Sequence, residues 1–429
     1  MKTKLLIFGI TGDLATRRLL PALEQIISTG NFDELSVIGV SRHEVNEADL
    51  FIKCTNRSFL DNKLSMFSMN LDEPSDYDRL KGYIGLTADE QLLLYMAVPP
   101  KNTAGIVDMM GAAGINTPNV KILFEKPFGV DLISAEKLIE QTSSHYKEEQ
   151  IYRIDHYLAK EMAQNIVAVR GRNALFSNIW SNDFIKSIEI IASQKIGIEN
   201  RVHFYEQTGA LRDIVQGHLI QLLALTIMDI PQNFEWDEMP KLRLSALEQI
   251  DPIDPSMAIR AQYAGYKHEV NNLSSNIETF VSLQLTSSHS SWSGVPITMT
   301  TGKALSQETT EIRINLKMDN GEQGNRLIFR IQPNEGICIE LFIKKPGYGH
   351  KFETSFLNFD YPEHIKLPDA YEQVIVDAIL SQKSLFTSSS EVLRSWQILK
   401  PVQDAWELSD KSPAIYPIGS DIESVIKLV

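Results

Sequence analysis

Cysteine is almost missing from this chain: among 429 residues only Cys54 and Cys338 carry a thiol. With no CxxC pair and no His/Cys cluster, neither a disulfide framework nor a thiolate metal site is indicated, and the usage fits a reducing cytoplasm. Basic charge is also in deficit, with 41 lysines and arginines against 55 aspartates and glutamates and a net charge of -14. A field of that sign repels polyanions, so neither nucleic acid nor an anionic membrane is expected as a partner; a local basic pocket can still hold a small anion. Long apolar runs are lacking too. The nearest, "HLIQLLALTIM", is interrupted by Gln221 and falls short of the roughly 20 apolar residues of a membrane helix. The opening "MKTKLLIFGI" has no small-residue cleavage site and reads as a strand.

What is there is a globular composition, 43% hydrophobic, over a length that exceeds one ordinary core and implies two or three domains. In the first part, short apolar runs ("KLLIFGI", "LSVIGV", "QLLLYMAV", "VKILFEKPFG") alternate with helical patterns such as "ADLFIKCTNRSFL" and "TAGIVDMMGAAG". That alternation predicts parallel strands with crossover helices, an α/β doubly wound, Rossmann-like domain over 1–155. From about Ile185 onward β-type runs follow one another, "SIEIIAS", "TFVSLQLTS", "PITMTTG", "TEIRINLKM", "NRLIFRIQ" and "CIELFIKK". Strands in succession predict an α+β domain over 156–429 with a large, mainly antiparallel sheet. Helices are expected at 209–228, at 370–380 and in "EVLRSWQILKPVQDAWEL".

Several short motifs carry chemistry. "FGITGDLATRRLLPAL" sets Gly9 and Gly12 at a strand-to-helix turn, where backbone N–H groups and the helix dipole favour a phosphate; the spacing is GxxGxxA rather than GxGxxG. After the second strand, Arg42 stands where an acidic residue would read a ribose 2′-hydroxyl, and a cation there suits a 2′-phosphate, favouring NADP over NAD. "FEKPFG" places Glu125, Lys126 and Pro127 at a strand's carboxyl edge, where open α/β sheets bind ligands. If a helix begins within "IYRIDHYLAKEMAQN", His156 and Lys160 share one face with Tyr157 beside them, a cluster suited to a phosphate monoester. "TGALRDIVQGHLIQLLAL" sets Asp213 and His218 at the entry of an otherwise apolar helix.

These motifs, together with "MAVPP", "IRAQYAGY", "ETFV", "WSGVPITMTTGKAL" and "PDAYEQVIVDAI", resemble the glucose-6-phosphate dehydrogenase family, in order and over most of the chain. "RIDHYLAKE" is close to a family signature, with Ala159 where glycine is usual. The resemblance implies oxidation of a hexose 6-phosphate at C1 to the lactone, hydride passing to NADP or NAD, with no metal. His218 would be the general base and Asp155 the carboxylate that orients it. His156, Tyr157 and Lys160 would hold the phosphate, while Lys126, Gln194, Asp213, Lys303 and Glu308 would line the sugar. Gly9, Thr11, Gly12, Asp13, Leu14, Arg42, Pro99, Lys126 and Pro127 would carry the dinucleotide, with Pro100 helping to shape its nicotinamide edge. A cytoplasmic homodimer formed through the large sheet is implied, with a tetramer open.

The departures from the family pattern are Arg18 for lysine, Ser193-Gln194 for an Ala-Glu pair, Gly217 for asparagine, Thr300 for arginine and Glu308 for a basic residue. They leave two substrates in view: glucose 6-phosphate, or an amino sugar such as glucosamine 6-phosphate whose ammonium a buried Glu308 would pair. A catalytically silent sugar-phosphate sensor and an oxidoreductase of the inositol-dehydrogenase type are the other readings. The chain ends early by family standards, so a second, structural NADP site is not expected.

Overall fold

A computed structural model describes residues 2–45, 50–51, 53–55, 58–318, 323–362 and 364–429. They form two compact units, one of Met1–Ala159, Glu235–Pro240 and Pro368–Val392, the other of Lys160–Phe234, Lys241–Leu367 and Leu393–Val429. The helical pattern expected over 48–60 lies partly outside the described residues; within them Ser58–Asp61 forms one helical turn.

The first unit is built on strands β1 (Lys2–Phe8), β2 (Leu35–Ser41), β3 (Leu64–Ser68), β4 (Glu90–Met96), β5 (Val120–Phe124) and β6 (Ile151–Ile154). They are mutually parallel, as the alternating sequence predicts, and run in space 6-5-4-1-2-3, the order of a doubly wound sheet. Sheets covered on both faces read as continuous apolar runs. Leu5 to Phe8 and Leu92 to Tyr95 accordingly have no exposed surface. The order reverses between β1 and β4, so the carboxyl ends of those strands frame the crevice where such sheets bind ligands.

Late residues complete this unit. The helix Ala370–Leu380, found with the bounds its sequence pattern implied, buries Val374, Ile375 and Ala378. Burying Val374 and Ile375 stabilises the unit by about 1.5–3 kcal/mol each. After it, β15 (Phe386–Thr387) pairs antiparallel with β6.

In the second unit, β7 (Ile185–Ser193), β8 (Ala258–Tyr263), β9 (Phe280–Leu285), β10 (Ile297–Gly302), β11 (Thr309–Lys317), β12 (Gln323–Gln332), β13 (Gly336–Lys344), β14 (Phe352–Asp360) and β16 (Ala414–Tyr416) form one sheet, ordered 14-13-12-11-7-10-9-8-16. Among the described residues, only the β7–β10 and β8–β16 pairings between strands of this sheet are parallel. Alternate residues separate its two faces. Ile188, Ile190, Ile297, Met299, Ile312 and Ile314 are fully buried on one side. Ser187, Glu189, Thr298, Thr300 and Arg313 line an open cavity of about 550 Å³ on the other.

The single helix expected over 209–228 is instead broken. Helix Val202–Ala210 kinks at Gly209 (φ 61°, ψ -175°), Leu211–Leu219 continues in wide i→i+5 turns, and Ile220–Ile227 is regular. Apolar periodicity alone does not distinguish these windings, since each buries the same stripe.

Candidate active site

In the first unit the turn after β1 lies at the reversal of strand order. Gly9 has φ +83°, and a Cβ on it would sit 2.5 Å from the carbonyl oxygen of Ala97, just past β4. Only glycine brings the backbone this close in that conformation. Gly12 N–H donates to the Gly9 oxygen at 2.9 Å, closing the turn and leaving Thr11 and Asp13 exposed at its rim. From Leu14 the chain enters the wide turn Ala15–Leu19, which runs into the helix Leu20–Ser28. This is a backbone cradle of the kind a dinucleotide phosphate requires. Arg42 is exposed immediately beyond β2, Pro99 is extended (φ -54°, ψ 140°), and Pro100 opens the helix Pro100–Ala112. Arg18 approaches Asp369 at 4.0 Å.

At the end of β5, Lys126 and Pro127 are joined by a cis peptide bond. The preceding Glu125 accepts a hydrogen bond from the Tyr95 hydroxyl at 2.5 Å. Burial pushes the Glu125 carboxyl up to about 7; the Tyr95 bond and Lys126 pull it down, and Asp155 adds to the rise. Asp155 follows β6 and is 1% exposed, its Oδ1 accepting the Tyr157 N–H at 2.9 Å. His156 lies nearly parallel to the Tyr371 ring, 6.3 Å away, and tilted against Tyr157.

The expected helix beginning among these residues is corrected: Ile151–Ile154 is a strand, and the next helix, Glu161–Arg172, has Lys160 as its cap. His156 and Lys160 therefore belong to a strand-to-helix connection and not to one helical face. The β-branched and aromatic residues of "IYRI" fit a buried strand, and the Asp155 side chain turns the backbone at its end.

The second unit holds the other predicted residues. Glu335 accepts the Met162 N–H at 2.7 Å, fixing the helix that Lys160 caps. Asp213 and His218 lie on the wide-turn segment, His218 only 3% exposed. Lys303, after β10, is 1% exposed; its Nζ donates to Gln194 Oε1 at 2.6 Å and lies 5.2 Å from the centre of the Tyr205 ring. Burial pushes this ammonium down to about 8; Arg201 reinforces the fall, and Asp213 and Glu199 oppose it.

Two readings of the departures change. Thr300 bonds Ser282 at 2.9 Å and faces the open cavity, opposite the buried side of the sheet, because neighbouring strand residues alternate in direction. Glu308 is exposed rather than buried, and shares a cavity of about 330 Å³ with Lys195 and Arg330.

Tyr205 and Glu278 escaped the motif reading. Both are buried, Tyr205 with no exposed surface, and among the described residues the Tyr205 hydroxyl has no hydrogen-bond partner. The "ETFV" motif contains Glu278, but spacing gives no hint that it reaches Leu211.

A doubly wound unit with a glycine cradle at its crevice, in one chain with a sheet unit presenting a buried histidine and lysine, defines an oxidoreductase of the nicotinamide-dependent class. Residues 6–165 match the model "Glucose-6-phosphate dehydrogenase, NAD binding domain", and residues 167–425 match "Glucose-6-phosphate dehydrogenase, C-terminal domain". The chain belongs to the glucose-6-phosphate dehydrogenase family. It is 32% identical to the glucose-6-phosphate 1-dehydrogenase of Dickeya dadantii (strain 3937), over 97% of this chain and 94% of that one. With the enzyme of that name from Rhizobium meliloti (strain 1021) the identity is 34%, over 96% and 93%. A solved structure of glucose-6-phosphate dehydrogenase in complex with its substrate glucose-6-phosphate is similar with a TM-score of 0.92 at 29% identity, over 100% of this chain and 96% of that one. Among the described residues no helix is long and apolar enough to cross a membrane.

Proposed function

We propose that the chain oxidises C1 of glucose 6-phosphate to the lactone, with NADP as the acceptor. The observation that carries this reading is similarity to relatives of that activity over more than nine-tenths of both chains. His218 takes the proton of the C1 hydroxyl, and Asp155 serves as the carboxylate partner that orients and charges its imidazole, so that the C1–O bond becomes a carbonyl as hydride leaves carbon. His156, Tyr157 and Lys160 hold the phosphate; Lys126, Gln194, Asp213 and Lys303 bond the sugar hydroxyls. The turn at Gly9, Thr11, Gly12, Asp13 and Leu14 holds the pyrophosphate, Pro99 and Pro127 border the nicotinamide, and Arg42 pairs the 2′-phosphate that distinguishes NADP. Bound nicotinamide supplies the hydride acceptor.

The amino-sugar reading needs a buried carboxylate, and exposed Glu308 gives it less support. Absorbance of reduced nicotinamide, followed with glucose 6-phosphate and glucosamine 6-phosphate, tests the choice. Turnover of the plain sugar at equal or higher kcat/KM supports the proposal; the reverse order, or sugar binding without reduction, sinks it. His218→Asn should lower kcat by about 10²–10⁴ while sugar-phosphate binding persists.

A homodimer formed through the large sheet is part of this reading. The β13–β14 hairpin leaves Phe342, Phe352, Phe356, Leu357 and Phe359 about half exposed or more, an apolar surface that a second copy would cover. Light scattering that returns a monomer mass at micromolar concentration would remove it.

A further inference from the structure

Gly209 adopts a conformation open essentially only to glycine, and it does so against one side chain. A Cβ at this position would lie 2.3 Å from Glu278 Oε1 and 2.7 Å from its Cδ. That same Oε1 accepts the Leu211 N–H at 2.9 Å, and the Glu278 main-chain oxygen accepts the Ala210 N–H at 3.0 Å. One residue thus takes the first two donors of the segment that carries Asp213 and His218. The kink at Gly209 ends one helix and leaves those donors without helical acceptors, and an accepting oxygen at the start of the next winding suits their hydrogen bonds.

The neighbouring residue reaches the other side of the site. Thr279 accepts the Lys303 N–H on its main-chain oxygen at 3.0 Å, and its Oγ1 accepts the Tyr263 N–H at 2.9 Å. Tyr416 joins the same knot, its hydroxyl 3.0 Å from Thr279 Oγ1 and donating to the Lys303 oxygen at 2.6 Å. Glu278 and Thr279, adjacent in sequence and 4% and 0% exposed, are therefore bonded to the segment bearing His218 and to the turn bearing Lys303.

We propose that Glu278 is a positioning residue for the reaction: it sets where the segment bearing Asp213 and His218 begins and, with Thr279, its spacing from Lys303. This rests on the assignment of His218 as the base. The charge of Glu278 is not what the arrangement uses; the accepting oxygen is, so glutamine keeps the function and alanine removes it.

The test compares Glu278→Ala and Glu278→Gln in steady-state kinetics with glucose 6-phosphate and NADP, beside thermal melting and amide exchange at Leu211. The alanine variant should lose about 10- to 100-fold in kcat, since displacing a catalytic group by about 1 Å costs that much. NADP KM should stay near the parent value, Leu211 exchange should accelerate, and the glutamine variant should retain kcat within about threefold, the margin of a similar hydrogen bond. Wild-type kcat or unchanged Leu211 protection in a folded alanine variant overturns the proposal, as does a glutamine variant as impaired as alanine. If alanine does not fold, Glu278→Asp, one methylene too short to reach Leu211, should give the same loss of kcat, and full activity in it overturns the idea. Activity retained by His218→Asn would instead remove the assignment of the base, while the Leu211 exchange result would still judge Glu278.

Discussion

The Lys303 ammonium donates to the carboxamide oxygen of Gln194 at 2.6 Å, so a nearly fully buried cation is matched with a neutral partner. A carboxylate would favour the charged amine; an amide only accepts its hydrogen bond, and burial is left to lower its proton affinity to about 8. The ammonium is therefore present below pH about 8 and is lost as pH rises through that value. The KM for glucose 6-phosphate should climb above pH about 8 in the parent protein. In Gln194→Glu the same rise should move to higher pH. Profiles of KM between pH 7 and 10 check this, and superimposable curves for the two proteins would contradict it.

Glu125 has the opposite sign. Its folded value of about 7 lies above the ordinary carboxyl value, so the folded protein binds the extra proton between the two. Stability should then fall as pH rises from about 4.5 to 7, by up to about 3 kcal/mol, as ionisation becomes favourable in the unfolded chain first. Glu125→Gln should flatten that slope in urea melts taken at pH 5 and pH 8.

Gly9→Ala should damage dinucleotide binding and little else. A methyl group there meets the Ala97 oxygen at 2.5 Å, and the backbone strain alone is about 1–2 kcal/mol. The expected result is an NADP KM at least about tenfold higher with the glucose 6-phosphate KM unchanged. Equal losses for both ligands would mean the turn is a general structural element.

Tyr205→Phe should leave the melting temperature unchanged or raise it. A buried hydroxyl without a partner costs about 1–3 kcal/mol, which phenylalanine does not incur. A large drop in melting temperature would show that the hydroxyl is matched in solution.

Much of the architecture was legible because the patterns were local. Alternation of apolar runs with helical stretches named the doubly wound unit, and Ala370–Leu380 announced itself by its buried stripe between Asp369 and the turn at Ser381. Strand β14 was missed because "FETSFLNFD" carries apolar residues toward both sides of the sheet, so no clean alternation survives. β15 is two residues long and has no periodicity at all. At the site, residue types could be read, but their partners could not. That Thr300 turns to the open side depends on strand register, and that Gln194 rather than Glu308 meets Lys303 depends on where β7 and β11 end. Glu278 and Leu211 are 67 positions apart, beyond any spacing rule.

The segment Pro368–Val392 returns to the first unit, and this sets an order of events for a chain leaving the ribosome. Gln91 donates to the Ile379 oxygen, and Lys121 donates to the Ala378 oxygen and to Ser381. Until those late residues emerge, the two side chains have no such acceptors, and the side of the sheet that Val374 and Ile375 cover faces water. Domains usually fold as they are synthesised, amino end first. Here the amino-terminal unit must wait for nearly the whole polypeptide, while most residues of the second unit are made before the first is complete.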